Sequence, residues 1–190
     1  VDGVSINNTI SKSGHSQSSS TINPFFIESV NVISGPSSIA FGDGAMGSSI
    51  LFNTFLPSLK KESKHYLFQQ YTTSSNSSSL NYKTFYSLQN VAFLSAFSLK
   101  TSENLKMGRV RNHGYSLWGN DTNYTDNNSQ LYTEYDKADF LHKTLLSLSP
   151  KTEVLFNTQY STSSNINRFD KLNDLKDGGR KYSEWYYGPQ

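Results

Sequence analysis

The sequence predicts a mainly β fold in two parts: a mixed α+β segment, then a run of antiparallel up-and-down strands. Three observations carry this. From about residue 62, segments of about ten residues alternate apolar and polar side chains, the period of a pleated strand. Polar connections rich in Ser, Asn, Asp, Thr and Lys separate them. Ahead of them, residues 1 to about 57 have another texture, with Pro and Gly punctuating short β-branched runs.

Composition narrows the classes. A chain of 190 residues suits one domain or a piece of a larger protein. Hydrophobic residues make up 35%, below the ordinary globular share, and the mean hydropathy is -0.56. Aromatic residues reach 14%, which argues against wholesale disorder. The net charge of +2 is small, and Lys60-Lys61 and Arg180-Lys181 are the only basic pairs, so nucleic acid is not an expected partner. There is no cysteine, hence no disulfide framework and no thiolate metal site. No apolar run reaches the length of a spanning helix, but spanning strands carry a much weaker signal. The chain opens on Val1-Asp2-Gly3-Val4 and ends on Tyr187-Gly188-Pro189-Gln190, and the expectation is a fragment of a longer protein.

In the first part, Asn23 can cap a short helix, Pro24 fits its first position and Glu28 its early turns. Val30, Val32 and Ile33 then give a short strand ending at Gly35-Pro36. Ser37 to Phe41 fit one helical turn, residues 42–47 a tight glycine loop, and Ser48 to Phe55 a returning strand. In the second part, strands are expected at Lys64–Thr73, Leu80–Gln89, Val91–Lys100, Ala138–Leu148 and Glu153–Ser163, with a sixth starting in Ser183–Gly188. Tyr82, Thr84, Tyr86 and Leu88 share one face of their strand, and Asn81, Lys83, Phe85 and Ser87 the other.

The connections differ in length. Gln89-Asn90 and Ser149-Pro150-Lys151 are tight turns, whereas 101–137 and 164–182 are long and polar. Counted along the strands, the tight turns fall on one edge and the longer loops on the other. An up-and-down transmembrane barrel has this asymmetry, and strands of this length suit a tilted span. The pattern alone is equally compatible with a soluble sheet.

Residues 42–47 spell G-x-G-x-x-G, the phosphate-binding spacing. That chemistry needs a strand directly before the motif and a helix directly after it. Here a Gly-Pro turn and a helical turn intervene and a β-branched strand follows, so the glycines are read as backbone devices of a tight connection. Asp2, Glu28 and Asp43 are read as turn and helix-terminus carboxylates, not an acid–base pair. His15, His65, His113 and His142 lack metal-ligand spacing. No serine sits in a nucleophile elbow. The N-x-[ST] triplets at Asn7, Asn76, Asn120, Asn123 and Asn127 arise easily in so Asn- and Ser-rich a chain.

The stretch from Ile27 to Thr54, with Ile27, Glu28, Val30, Val32, Ile33, Gly35, Pro36, Ser38, Gly42, Ala45, Gly47, Ile50, Phe52 and Thr54 in matching places, resembles the end of the plug domain of TonB-dependent outer-membrane receptors. "VDGVSINN" and "KSGH" resemble earlier plug segments, and "QYSTSSNINRFDKL" and "SEWYYGPQ" resemble barrel stretches of the Bacteroidetes-type receptors. Asn31, Phe41 and Ser48 depart from the family pattern, which favours Glu, Tyr and Gly there.

The resemblance implies the end of a plug over 1–57 and the first strands, about six, of a barrel over 62–190, where a whole barrel has roughly 22. It implies a structural role for Gly35, Pro36, Ser38, Gly42, Gly44, Ala45 and Gly47, with no catalytic residue, metal or cofactor. It implies active uptake of a scarce large nutrient (ferric siderophore, haem, cobalamin or similar) across the outer membrane of a Gram-negative bacterium. The implied partners are the TonB-ExbB-ExbD inner-membrane complex, the ligand and outer-membrane lipid. Substrate contacts are expected in loops 101–137 and 164–182. Asn81, Lys83, Asn157 and Gln159 would face the lumen and the plug. The aromatics Tyr82, Tyr86, Phe93, Phe97, Phe140, Phe156, Tyr160, Trp185 and Tyr186 would meet lipid or interfacial girdles. The contrasting reading is a soluble extracellular adhesion or glycan-binding module, whose sheet would be apolar inside.

Overall fold

Asn23 and Pro24 begin the first element after the N-terminal turn. Asn23 Oδ1 accepts the Phe25 N–H at 2.9 Å, and Pro24 takes the first helical position. The helix is one 3-10 turn, Pro24–Phe26, and does not reach Glu28 as the capping signals suggested. Strand β1, Ile27–Ser34, starts at once, and Glu28 is exposed on it. The β-branched run 27–33 outweighs the helical cap, because Val and Ile are stiff at χ1 and fit a pleat.

This computed structural model describes residues 1–5, 21–41, 47–61, 63–108, 125–126, 128–172, 175–176 and 179–187. After β1 a second 3-10 turn covers Pro36–Phe41, and β2, Ser48–Thr54, pairs antiparallel with β1. The register sets Val30 opposite Phe52 and Val32 opposite Ile50, with an irregularity between Ile27 and Ser29.

The long strands follow: β3, Ser63–Thr72; β4, Ser77–Ser87; and β5, Val91–Ser102. Three two-residue strands come next: β6, Leu105–Lys106; β7, Thr125–Asp126; and β8, Ser129–Gln130. Then come the long β9, Tyr135–Ser149, and β10, Thr152–Ser163. The chain ends in β11, Ile166–Asn167; a helical turn α1, Phe169–Leu172; β12, Leu175–Lys176; β13, Gly179–Arg180; and β14, Tyr186–Tyr187.

The five long strands form one sheet in the order β10-β9-β5-β4-β3. Short turns join β3 to β4, β4 to β5 and β9 to β10, which makes these pairs antiparallel, while β9 reaches its place beside β5 after the longer stretch 103–134. The β4–β5 turn is closed by the Leu88 N–H donating to the Val91 carbonyl at 2.7 Å. The five full strands expected from residue 62 are present, with ends moved by up to three residues. The serine run 77–79 is strand and not loop, because the turn is made earlier, at 73–76, where Asn76 takes a positive φ of 42°.

Two regions differ from the expected plain loops. Within 101–137, β6 and β7 both pair with β8 in a small three-stranded sheet. Thr133 ties it, its Oγ1 accepting the Leu105 N–H and its N–H donating to Asn104 Oδ1. Within 164–182, α1 packs Phe169 and Leu172 against Met107. Tyr186–Tyr187, expected in a sixth strand, pairs with Ile166–Asn167. A two-residue strand has too few ladder bonds to extend a sheet of ten-residue strands.

The chain divides into two compact units, and each long strand contributes residues to both. One comprises Val1–Lys64, Thr84–Ala96 and Leu141–Thr158, the other His65–Lys83, Phe97–Phe140 and Gln159–Gln190. In the first, Phe26, Leu94, Ala96 and Leu141 make the core, joined by Phe25, Phe55 and Phe85.

Burial alternates along much of the inner strands and often runs against ordinary polarity. Asn81, Lys83 and Ser87 are buried on β4, while Leu80 and Tyr86 are exposed. On β5, Ala92, Leu94, Ala96 and Ser98 are buried, while Phe97 and Leu99 are exposed. On β9, Asp139, Leu141 and Lys143 are buried, while Phe140 and Leu148 are exposed. Large apolar side chains thus fill much of the exposed phase, and small, polar or charged ones most of the buried phase, with Leu94 and Leu141 as the apolar exceptions. A soluble sandwich has the opposite arrangement.

Candidate functional site

The turn Val1-Asp2-Gly3-Val4 builds the most concentrated polar site. Asp2 has φ +48° and Gly3 φ +82°, both in the left-handed region that Asp tolerates and Gly prefers. The Val4 N–H closes the turn on the Val1 carbonyl at 2.9 Å, and the Asp2 N–H donates to the Phe52 carbonyl at 2.9 Å. This holds the Asp2 side chain against the end of β2.

The Asp2 carboxylate collects four donors. Oδ1 accepts the Thr54 N–H at 2.8 Å. Oδ2 accepts the Thr54 hydroxyl at 2.7 Å, the Asn157 side-chain amide at 2.9 Å, and lies 3.0 Å from Lys143 Nζ. Lys143, on β9, is 0% exposed, and its ammonium also donates to the Thr54 carbonyl at 3.4 Å. A wholly buried lysine is rare and needs a paired anion. Burial pushes the Asp2 carboxyl up, but the Thr54 N–H, the Thr54 hydroxyl and the Lys143 ammonium outweigh it and hold the pKa below its ordinary 3.8. The site therefore joins the N-terminal turn, the end of β2, β9 and β10 through one charge-assisted cluster.

The second arrangement is the elbow between β1 and the second 3-10 turn. Gly35 has φ +82°, a conformation that L side chains rarely adopt, while a Cβ there would meet nothing within 4 Å. Backbone conformation, not crowding, calls for glycine. Its N–H donates to the Gly47 carbonyl at 3.0 Å, closing the loop that starts at Pro36. Ser38 is wholly buried, and both its N–H and its hydroxyl donate to the Gly35 carbonyl, at 3.0 and 2.8 Å. Gly47 has open space where a Cβ would stand. Gly42, Gly44 and Ala45 lie outside the described residues, as do Asp43, His15 and His113.

The remaining candidates are dispersed. His65 Nδ1 is 2.7 Å from the Tyr82 hydroxyl, and their rings stack. His142 is bracketed by the Ser95 and Thr144 hydroxyls at 2.8 and 3.0 Å. Among the described residues no group of three or more His, Asp or Glu is placed to hold a metal. In the second unit a cavity of about 560 Å³ is lined in part by Leu80, Leu99, Asp136, Lys137 and Ser163. Asn157 was expected as a polar residue on the plug-facing side of its strand, and its amide donates to Asp2. Asp2 was legible only as a turn residue. Lys143 was missed, although its spacing from Asp139 and Leu141 puts all three in one phase.

Residues 1–49, which carry Asp2, β1 and the Gly35 elbow, match the family model of the TonB-dependent Receptor Plug Domain. That segment is similar to the plug of TonB-dependent receptors. The mainly β, antiparallel remainder fits part of the barrel that follows a plug in such receptors. Plug domains of this family belong to outer-membrane transport proteins that interact with TonB and bind ligands. No curated protein and no solved structure matches the chain. In these terms the Asp2 cluster is a contact of the plug segment with β9 and β10.

Proposed function

We propose that the chain is the end of the plug, residues 1–57, and the first wall strands, from residue 62, of a receptor that imports a scarce large nutrient through the outer membrane. A ferric siderophore, haem or cobalamin is the kind of ligand such a receptor takes. The TonB-ExbB-ExbD complex would supply the pull on the plug, drawing on the proton-motive force. No bond in the nutrient is broken, and the residues of this chain act as scaffold and seal. The wall exposes Leu80, Tyr86, Phe97, Leu99, Phe140 and Phe156 to lipid and turns its polar phase inward.

The observation that carries the reading is the plug-like segment seated on polar residues of the long strands, with Asp2 on the buried Lys143 and the exposed Asn157. A soluble glycan-binding sheet would bury the aromatics of β4, β5 and β9 instead. The test is uptake by cells of the source bacterium carrying or lacking the gene. Radiolabelled ferric siderophore, haem and cobalamin are offered, with and without an uncoupler. Gene- and energy-dependent accumulation of one of them is expected. A full-length protein that fractionates with soluble extracellular material would overturn the reading.

A further inference from the structure

We propose that Asp2 and Lys143 form a releasable latch, which keeps the plug segment seated on the wall and whose opening precedes any passage. This deepens the transport reading above and rests on it for its biological meaning, though not for its physics.

The latch is asymmetric. Lys143 has two contacts, the Asp2 carboxylate at 3.0 Å and the Thr54 carbonyl at 3.4 Å, and no exposed surface. Both come from the segment that sits on the wall, so withdrawing that segment removes both together. Asp2, by contrast, keeps the Thr54 N–H and hydroxyl when it leaves, because these travel with it on β2. Lys143 and Asn157 are left behind. The carboxylate is therefore pre-satisfied within the plug segment, whereas the ammonium is satisfied only by the docked state. The energy holding the latch shut is chiefly that of a buried cation needing its anion.

Opening becomes easy once water reaches Lys143, because a hydrated ammonium no longer needs Asp2. The latch is thus stiff while dry and weak once wetted, which suits a seal that must hold until a pull admits the first water. Lys143 has no exposed surface, and the same unit holds an apolar core of Phe26, Leu94, Ala96 and Leu141.

The test uses the full-length receptor with Asp2→Asn, Lys143→Met and the double change. Two readouts are taken: ion conductance of the receptor in planar bilayers, and hydrogen exchange at the Thr54 amide. Heat-modifiable migration on gels checks that each wall has assembled. Asp2→Asn leaves the buried cation without an anion and is expected to raise both readouts most, by about tenfold or more, as a loss of 1.4 kcal/mol or more gives. Lys143→Met is expected to raise them less, since the carboxylate keeps its Thr54 donors. The double variant is expected to return towards the wild type, because no charge is left unpaired. Equal values for Asp2→Asn and wild type, or a double variant as open as Asp2→Asn alone, would overturn the latch. If Asp2→Asn fails to assemble, Lys143→Met against the double variant decides on the same criterion. Neither readout needs a nutrient, so absence of uptake by the wild type would sink the transport reading and leave the latch to be judged separately.

Discussion

At the scale of single residues, two backbone positions with positive φ do different work. Gly35 needs its conformation and nothing else, because the space beside it is open. Gly35→Ala should cost about 1–2 kcal/mol through the left-handed backbone alone. Gly35→Asn should cost less, since Asn visits that region more readily. Hydrogen exchange at the Ser38 amide, which donates to the Gly35 carbonyl, would rank the two. Asp2 spends its positive φ on aiming a carboxylate. Its pKa is held below 3.8, so the stabilisation it gives is complete above that value and is lost as pH falls through the depressed one. The charged group facing it from β9 is Lys143; Thr54 on β2 and Asn157 on β10 are neutral. The chain has no cysteine, so a single label at Val4→Cys, an exposed neighbour, would report release below pH 3.8. Asp2→Asn should remove that acid-dependent change.

At the scale of elements, β5 shows how a strand makes room for what sits on it. Its buried phase carries Ala92, Leu94, Ala96 and Ser98, small residues apart from Leu94. Phe25, Phe26 and Phe55 pack against Leu94, Ala96 and Leu141. Phe26→Ala should cost about 3–5 kcal/mol by opening a cavity. Ala96→Leu should cost about 1–3 kcal/mol by overfilling the same place. Loss of protection at the Phe55 amide, which donates to the Phe26 carbonyl, would reveal both. The strands themselves were legible, because period-two alternation is a local property of the chain. The short pairings β6–β8 and β11–β14 were not, since two-residue strands leave no period to read. The 3-10 turn before β1 was read as too long because caps mark where a helix starts, and only the competing β-branched run says how soon it stops.

At the scale of the whole molecule, sequence alternation showed which residues share a face but not which face is buried. That depends on what lies against the sheet, so Lys143 could not be picked out from residue type alone. Burial supplies the answer: the aromatic phase is the exposed one. In the transport reading, Phe97→Cys and Phe156→Cys in the full-length receptor should resist a water-soluble thiol reagent, and a fluorophore at either should be quenched by brominated lipid. Lys83→Cys, buried on the other face, should escape quenching by brominated lipid. Among the described residues β3 and β10 are the edges of the sheet, so in the transport reading residues 1–190 expressed alone should aggregate in the absence of detergent. The lengths of the strands carry one more consequence. β9 runs for 15 residues where β4 and β5 run for 11 and 12. A tilted span of the hydrocarbon layer uses about 9–11 residues. At about 3.3 Å per residue, the surplus of β9 measures roughly 15 Å. In the transport reading, a strand that long serves as a mast, lifting its far end clear of the headgroups. The small sheet of β6, β7 and β8, which precedes it in the chain, would then stand in water outside the cell, where an approaching molecule meets it before any part of the wall.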